Sequence, residues 1–116
     1  MVTRVRETLD AAMAEAVLYE AVRAHLKAFG WRWYHTRDSR GSNAGFPDIV
    51  ATRGNGFGPL LFIELKREKG KETSEQIAWR EALTGAGGES HTPYGAKAFV
   101  WRPSDLSSGE IERVLR

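Results

Sequence analysis

Residues 45–66 read GFPDIVATRGNGFGPLLFIELK, and this stretch decides the fold. It holds two apolar segments joined by a run of turn residues. Asp48-Ile49-Val50-Ala51-Thr52 is a short β-prone run that follows Pro47, a residue tolerated at the first position of a strand. Leu60-Leu61-Phe62-Ile63 is a continuous apolar run, the pattern of a strand buried on both faces. Between them, residues 53–59 (RGNGFGP) are turn chemistry throughout. An antiparallel hairpin with Thr52 opposite Leu60 then sets Asp48 opposite Glu64, about 5 Å away Cα to Cα.

Side chains alternate along a strand, so Glu64 and Lys66 share one face while Ile63 and Leu65 take the other. The pattern therefore gathers two carboxylates and an ammonium at the end of a buried hairpin. Like charges placed opposite each other destabilise a sheet, and burying them costs more. A divalent cation relieves that conflict, because hard oxygen ligands in a small cluster suit Mg²⁺. The plain alternative is an ion-pair patch of Lys66, Glu64 and Asp48 at a strand end. Placement inside an apolar hairpin favours the metal.

Composition bounds the rest. With 116 residues and 41% apolar content, the chain suits one domain with a modest core, and we expect a single domain over residues 1–116. The absence of cysteine excludes disulfides and thiolate metal sites. No apolar run reaches the length of a membrane span, and no membrane partner is expected. Arg4, Arg6 and Glu7 interrupt any signal-peptide core, so the expected location is cytoplasmic. A net charge of +2 is compatible with a phosphate-bearing partner without requiring one.

Along the chain, residues 8–29 read as one long helix, or two in succession, with Gly30 as the stop. Glu15 falls on the stripe of Leu18, Tyr19, Val22 and Leu26, whereas Glu20 aligns with Arg23 and Lys27 on a solvated face. From the helix alone, Glu15 reads as a carboxylate at the rim of the apolar stripe. Residues 31–36 alternate as a strand, with Trp33, Tyr34 and His35 open to core packing or to base stacking. The polar loop that follows delivers Arg37, Arg40, Ser42 and Asn43, which can hydrogen-bond phosphate oxygens or simply be solvated. After Lys66, residues 67–72 form a charged connector in which Arg67, Lys69 and Lys71 are candidate phosphate contacts. Thr73-Ser74-Glu75-Gln76 fits a capping box for the next helix, which by itself accounts for Gln76. The glycines near 85–88 end that helix, residues 97–102 read as a fourth strand, and a short helix begins near Ser107. His25, His35 and His91 lack the spacing of a zinc site. The order helix, three strands, helix, strand, helix implies an α/β domain: a small mixed four-stranded sheet flanked by helices.

Gly45-x-Pro47-Asp48, then Glu64-x-Lys66 closing an apolar strand, then Gln76 early in the next helix, resembles the PD-(D/E)XK nuclease superfamily and its αβββαβ restriction-endonuclease-like core. With Glu15 upstream of Gly30-Trp31, the chain is similar specifically to the VRR-NUC (virus-type replication-repair nuclease) family. The resemblance runs over residues 14–83, and domains of this size that stand alone resemble phage-encoded members, which would act in the host cytoplasm.

The resemblance implies that Asp48 and Glu64, with the Leu65 backbone carbonyl, ligate Mg²⁺ or Mn²⁺, and that Glu15 binds a second metal or a metal-bound water. Lys66 would position or deprotonate the attacking water or stabilise charge on the phosphate, and Gln76 would support the site from its helix. The implied activity is metal-dependent hydrolysis of phosphodiester bonds in branched or double-stranded DNA. Stand-alone members of this kind are similar to four-way (Holliday) junction resolvases that act as homodimers. A flap or nicking endonuclease is the alternative within that class, and a catalytically silent DNA-binding module is the alternative outside it.

Overall fold

The computed structural model describes residues 2–36, 43–54, 59–84 and 96–116. The elements run α1 (Val2–Ala12), α2 (Glu15–Ala28), β1 (Arg32–His35), β2 (Ile49–Thr52), β3 (Leu60–Leu65), α3 (Ser74–Thr84), β4 (Ala96–Trp101), α4 (Pro103–Ser107) and α5 (Glu110–Leu115). The four strands form one mixed sheet in the order β1-β2-β3-β4. Two compact units can be distinguished. One comprises Met1–Gly30, Leu65–Lys71 and Val100–Arg116, and the other comprises Trp31–Glu64 and Glu72–Phe99.

In the second unit, β1 pairs antiparallel with β2, Arg32 opposite Thr52 and His35 opposite Ile49. β2 pairs antiparallel with β3, Thr52 opposite Leu60 and Ile49 opposite Ile63, which is the register expected from the sequence. The reason is visible in the side chains. Ile49 and Ala51 are buried on β2, and every residue of β3 except Leu60 is buried. A one-residue slip would turn Ile49 and Ala51 to the opposite face of the strand, so the apolar pattern holds the register. Phe46 sits edge-on to Phe62 and to Trp79 of α3, with ring centroids 6.3 Å and 5.1 Å away. That aromatic corner fastens the segment before β2 to α3.

In the first unit, Leu18, Val22 and Leu26 are fully buried along one face of α2, at the spacing of an amphipathic helix. Ile111 and Leu115 of α5 and Pro103 at the start of α4 are buried too, and α2 packs on both short helices. Gly30 ends α2 with φ of +79°, the left-handed stop that the sequence predicts. Of the two readings of residues 8–29, one long helix or two in succession, the second holds, and the first helix begins earlier, at Val2. Neither glycine nor proline marks the break at Met13-Ala14. Tertiary bonds fix α1 independently: the Asp10 carboxylate accepts from Ser107 Oγ at 2.9 Å, and the Arg6 guanidinium donates to the Ser107 carbonyl. Good local propensity does not force two segments into one helix when their partners lie elsewhere. The short C-terminal helix expected near Ser107 is α5, which follows Gly109 with its φ of +85°; α4, which ends at Ser107, is an additional helix before it.

Candidate functional site

Asp48 lies one residue before β2, and Glu64 one residue beyond the Ile49–Ile63 pair, so both acids stand at the same end of the paired hairpin. The Asp48 backbone is fixed from the neighbouring strand: Thr36 N–H donates to the Asp48 carbonyl at 2.8 Å, and Thr36 Oγ1 donates to the Pro47 carbonyl at 3.1 Å. Pro47 is buried and Asp48 half-buried. Thr36 is a positioning residue that reading by motif passes over, since the signal is only a hydroxyl at the end of a predicted strand.

Glu64 is buried, with 8% of its surface exposed, inside an otherwise apolar strand. A carboxylate so placed needs strong partners. One is Gln76, whose Nε2 donates to Glu64 Oε1 at 2.8 Å. The same amide closes the capping box of α3: Thr73 N–H donates to Gln76 Oε1 at 2.8 Å, and Gln76 N–H donates to Thr73 Oγ1 at 3.2 Å. The sequence sets capping against site support as alternatives for Gln76, but an amide has an acceptor end and a donor end. Here it uses the first for the helix and the second for the acid.

Gly45 brings these parts together. Its φ is +84°, and a Cβ built there would lie 2.5 Å from the Glu75 carbonyl carbon and 2.7 Å from Gln76 N. The segment that delivers Asp48 therefore passes directly against the first turn of α3, an approach that only glycine allows. Asn43 is exposed, and its carbonyl accepts from Phe46 N–H at 3.3 Å in the turn leading to Gly45.

Leu65 and Lys66 follow Glu64 in the chain and are described with the first unit. Leu65 is buried, Lys66 is half-buried, and Lys66 N–H donates to the Trp101 carbonyl at 3.0 Å. Arg67, Lys69 and Lys71 are all exposed on the segment that follows. Glu15 stands exposed in the first turn of α2, where its charge suits the helix N-terminus. The apolar neighbourhood that its stripe suggests is therefore not realised at that side chain. Glu20 is exposed beside Arg23, 3.7 Å away, as its face predicts. Arg37, Arg40 and Ser42 lie outside the described residues, as does His91. Of the aromatic residues on or beside β1, Trp31 is buried under the Arg53 guanidinium at 4.5 Å and Trp33 is half-buried, while Tyr34 is 67% exposed.

Among the described residues, no three His, Asp or Glu side chains gather closely enough to hold a metal ion. What the site offers is a pair of carboxylates. Two hard oxygen donors are the ligand type taken by a small divalent cation such as Mg²⁺, which keeps several waters and uses one or two carboxylates.

Comparison with known proteins bears on this geometry. The VRR-NUC domain family model matches residues 5–97. A solved structure described as a VRR_NUC domain is similar to this chain at 18% identity, over 83% of this chain and 92% of its own, with a TM-score of 0.60. At that identity the likeness speaks for the fold. A comparison with curated proteins found no match.

Proposed function

The chain belongs to the VRR-NUC domain family, a family of nucleases, and from that premise we propose that it is a metal-dependent, structure-specific DNA endonuclease. The observation that carries this reading is the buried Glu64, whose carboxylate takes the Gln76 amide, with Asp48 immediately before the first residue of β2. A buried carboxylate held so firmly inside an apolar strand serves a purpose that a solvated ion pair would not require.

Asp48 and Glu64 would hold Mg²⁺ or Mn²⁺; the family resemblance adds the Leu65 carbonyl as a ligand, and Glu15 for a second metal or a metal-bound water. When bound, such an ion polarises a phosphoryl oxygen and lowers the pKa of water toward neutrality. The chain's own residues do the rest. Gln76 keeps the Glu64 carboxylate oriented, and Lys66 supplies a cation to the phosphate or accepts the proton of the attacking water. The water oxygen bonds to phosphorus as the P–O3′ bond breaks, and the departing 3′-oxygen takes a proton from solvent water, leaving a 5′-phosphate and a 3′-hydroxyl. Arg67, Lys69 and Lys71, together with Arg37, Arg40, Ser42 and Asn43, contact the DNA backbone, and Tyr34 offers a ring for base stacking. We read residues 1–116 as a single nuclease domain.

Within this class we favour a four-way junction resolvase acting as a homodimer, because two symmetric sites suit a branched duplex of matching symmetry. The test is a cleavage panel of four-way junction, flap and linear duplex, each with Mg²⁺, Mn²⁺ or EDTA. Junction cleavage that needs the metal and is lost in Lys66→Met supports the reading. A general base or acid contributes about 10²–10⁴-fold, so Lys66→Met should slow cutting by that factor. Flap cleavage alone shifts the substrate class. DNA binding without cutting under any metal reduces the protein to a binding module.

A further inference from the structure

The segment after Lys66 is not a loose connector. Gly70 N–H donates to the Arg67 carbonyl at 3.0 Å, closing a turn over residues 67–70. The aliphatic stem of Lys66 lies beside that turn, its Cδ 3.7 Å from where a Gly70 Cβ would stand. From 32 or more positions downstream, Arg102 grips the same turn: Nε donates to the Glu68 carbonyl at 3.2 Å and an Nη to the Gly70 carbonyl at 2.6 Å. A second tie is reciprocal in direction. Glu68 Oε1 accepts from Ser104 N–H at 3.0 Å, in the first turn of α4. Arg102 is held in its own right, since its N–H donates to Asp105 Oδ2 and Asp105 N–H donates to its carbonyl, both at 2.8 Å.

We propose that Arg102 is a positioning residue for DNA binding: its guanidinium fork fixes the 67–70 turn so that Arg67, Lys69 and Lys71 present their charges together to the phosphate backbone. Three features carry this. The two carbonyls bridged by the fork flank Lys69 on either side. Both guanidinium partners are peptide carbonyls, so the bonds hold the turn without cancelling its charge. The three basic side chains thereby left outward are exposed, whereas the half-buried guanidinium faces the turn's own backbone. A flexible basic segment would have to be ordered when DNA binds, and a pre-set one avoids that cost. This inference rests on the DNA-binding reading above and deepens it.

The experiment measures junction binding and cleavage in the full chain for Arg102→Gln, Arg102→Lys, and both in a background with Arg67, Lys69 and Lys71 changed to Gln. We expect Arg102→Gln to raise Kd and KM about tenfold with kcat changed less than twofold, and Arg102→Lys to behave like Gln, because one ammonium cannot reproduce a planar fork. In the turn-neutralised background, Arg102→Gln should have no further effect. Trypsin should also cut after Arg67 and Lys69 faster in Arg102→Gln, a readout that needs no DNA. Should Arg102→Gln fail to fold, Glu68→Ala, which releases the tie to Ser104, takes its place with the same expected pattern. Full rescue by Arg102→Lys, or an effect that adds to turn neutralisation, shows a direct charge contact and overturns the proposal. Wild-type binding with unchanged Arg102→Gln overturns it alone, whereas failure of the wild type to bind any DNA overturns the nuclease reading instead.

Discussion

Gln76 is the residue at which the helix and the acid site meet, and its two bonds have separable energies. Thr73→Ala removes only the cap, worth about 1 kcal/mol. Gln76→Ala keeps that bond, whose donor is the backbone N–H, but removes the reciprocal bond from Thr73 N–H to Oε1, worth about 1 kcal/mol, and also the bond to the Glu64 carboxylate, worth about 1.5–3 kcal/mol because one partner is charged. Urea denaturation should therefore show Gln76→Ala losing about 2.5–4 kcal/mol against about 1 for Thr73→Ala. Equal losses would mean that the Glu64 bond contributes nothing. The residues of the pair itself, Asp48 and Glu64, are legible in the sequence because charges inside a β-prone apolar stretch stand out. Thr36 and Arg102 are not. Their work is done through backbone carbonyls brought close by the fold, at sequence separations of 11 and of 32 to 34 residues, and no local pattern announces such contacts.

At the scale of elements, the hairpin and α3 are locked by close approach at Gly45. Gly45→Ala would place a methyl 2.5 Å from the Glu75 carbonyl carbon at a φ of +84°. The left-handed backbone alone costs an L-residue about 1–2 kcal/mol, and the first turn of α3 must also shift. Denaturant melts should record a loss of at least that amount, and hydrogen exchange should show faster opening of the amides at Gln76 and Ile77. A fully stable variant with unchanged exchange would mean that the approach is not tight. The hairpin register was readable because alternation and turn chemistry agree on one answer. Two helices in succession was an open reading of the N-terminal segment, but the position of the break was not readable, because it carries no breaker residue and depends on Asp10 and Arg6 meeting Ser107 about a hundred residues later. The capping box at Thr73 was readable in full, being a local four-residue device.

At the scale of the whole molecule, fold and family were accessible from order and motif: the αβββαβ core is present, preceded by α1 and closed by α4 and α5. Among the described residues no helix is long and apolar enough to cross a membrane. Symmetric cutting of a junction calls for two copies, so light scattering should give about twice the chain mass of 13.0 kDa at working concentration. A monomer that still resolves junctions in paired cuts would refute the homodimer. The most direct measurement is cleavage of a labelled four-way junction by the wild type, Asp48→Asn and Glu64→Gln, each with Mg²⁺ and with EDTA. Since even residues that merely orient a metal's ligands cost 10–100-fold when changed, losing a ligand should slow cutting by at least about 100-fold. Wild-type cutting should require Mg²⁺, and both variants should bind the junction but leave it whole; cutting by Asp48→Asn at the wild-type rate, or undiminished cutting in EDTA, would contradict a metal held by the acid pair.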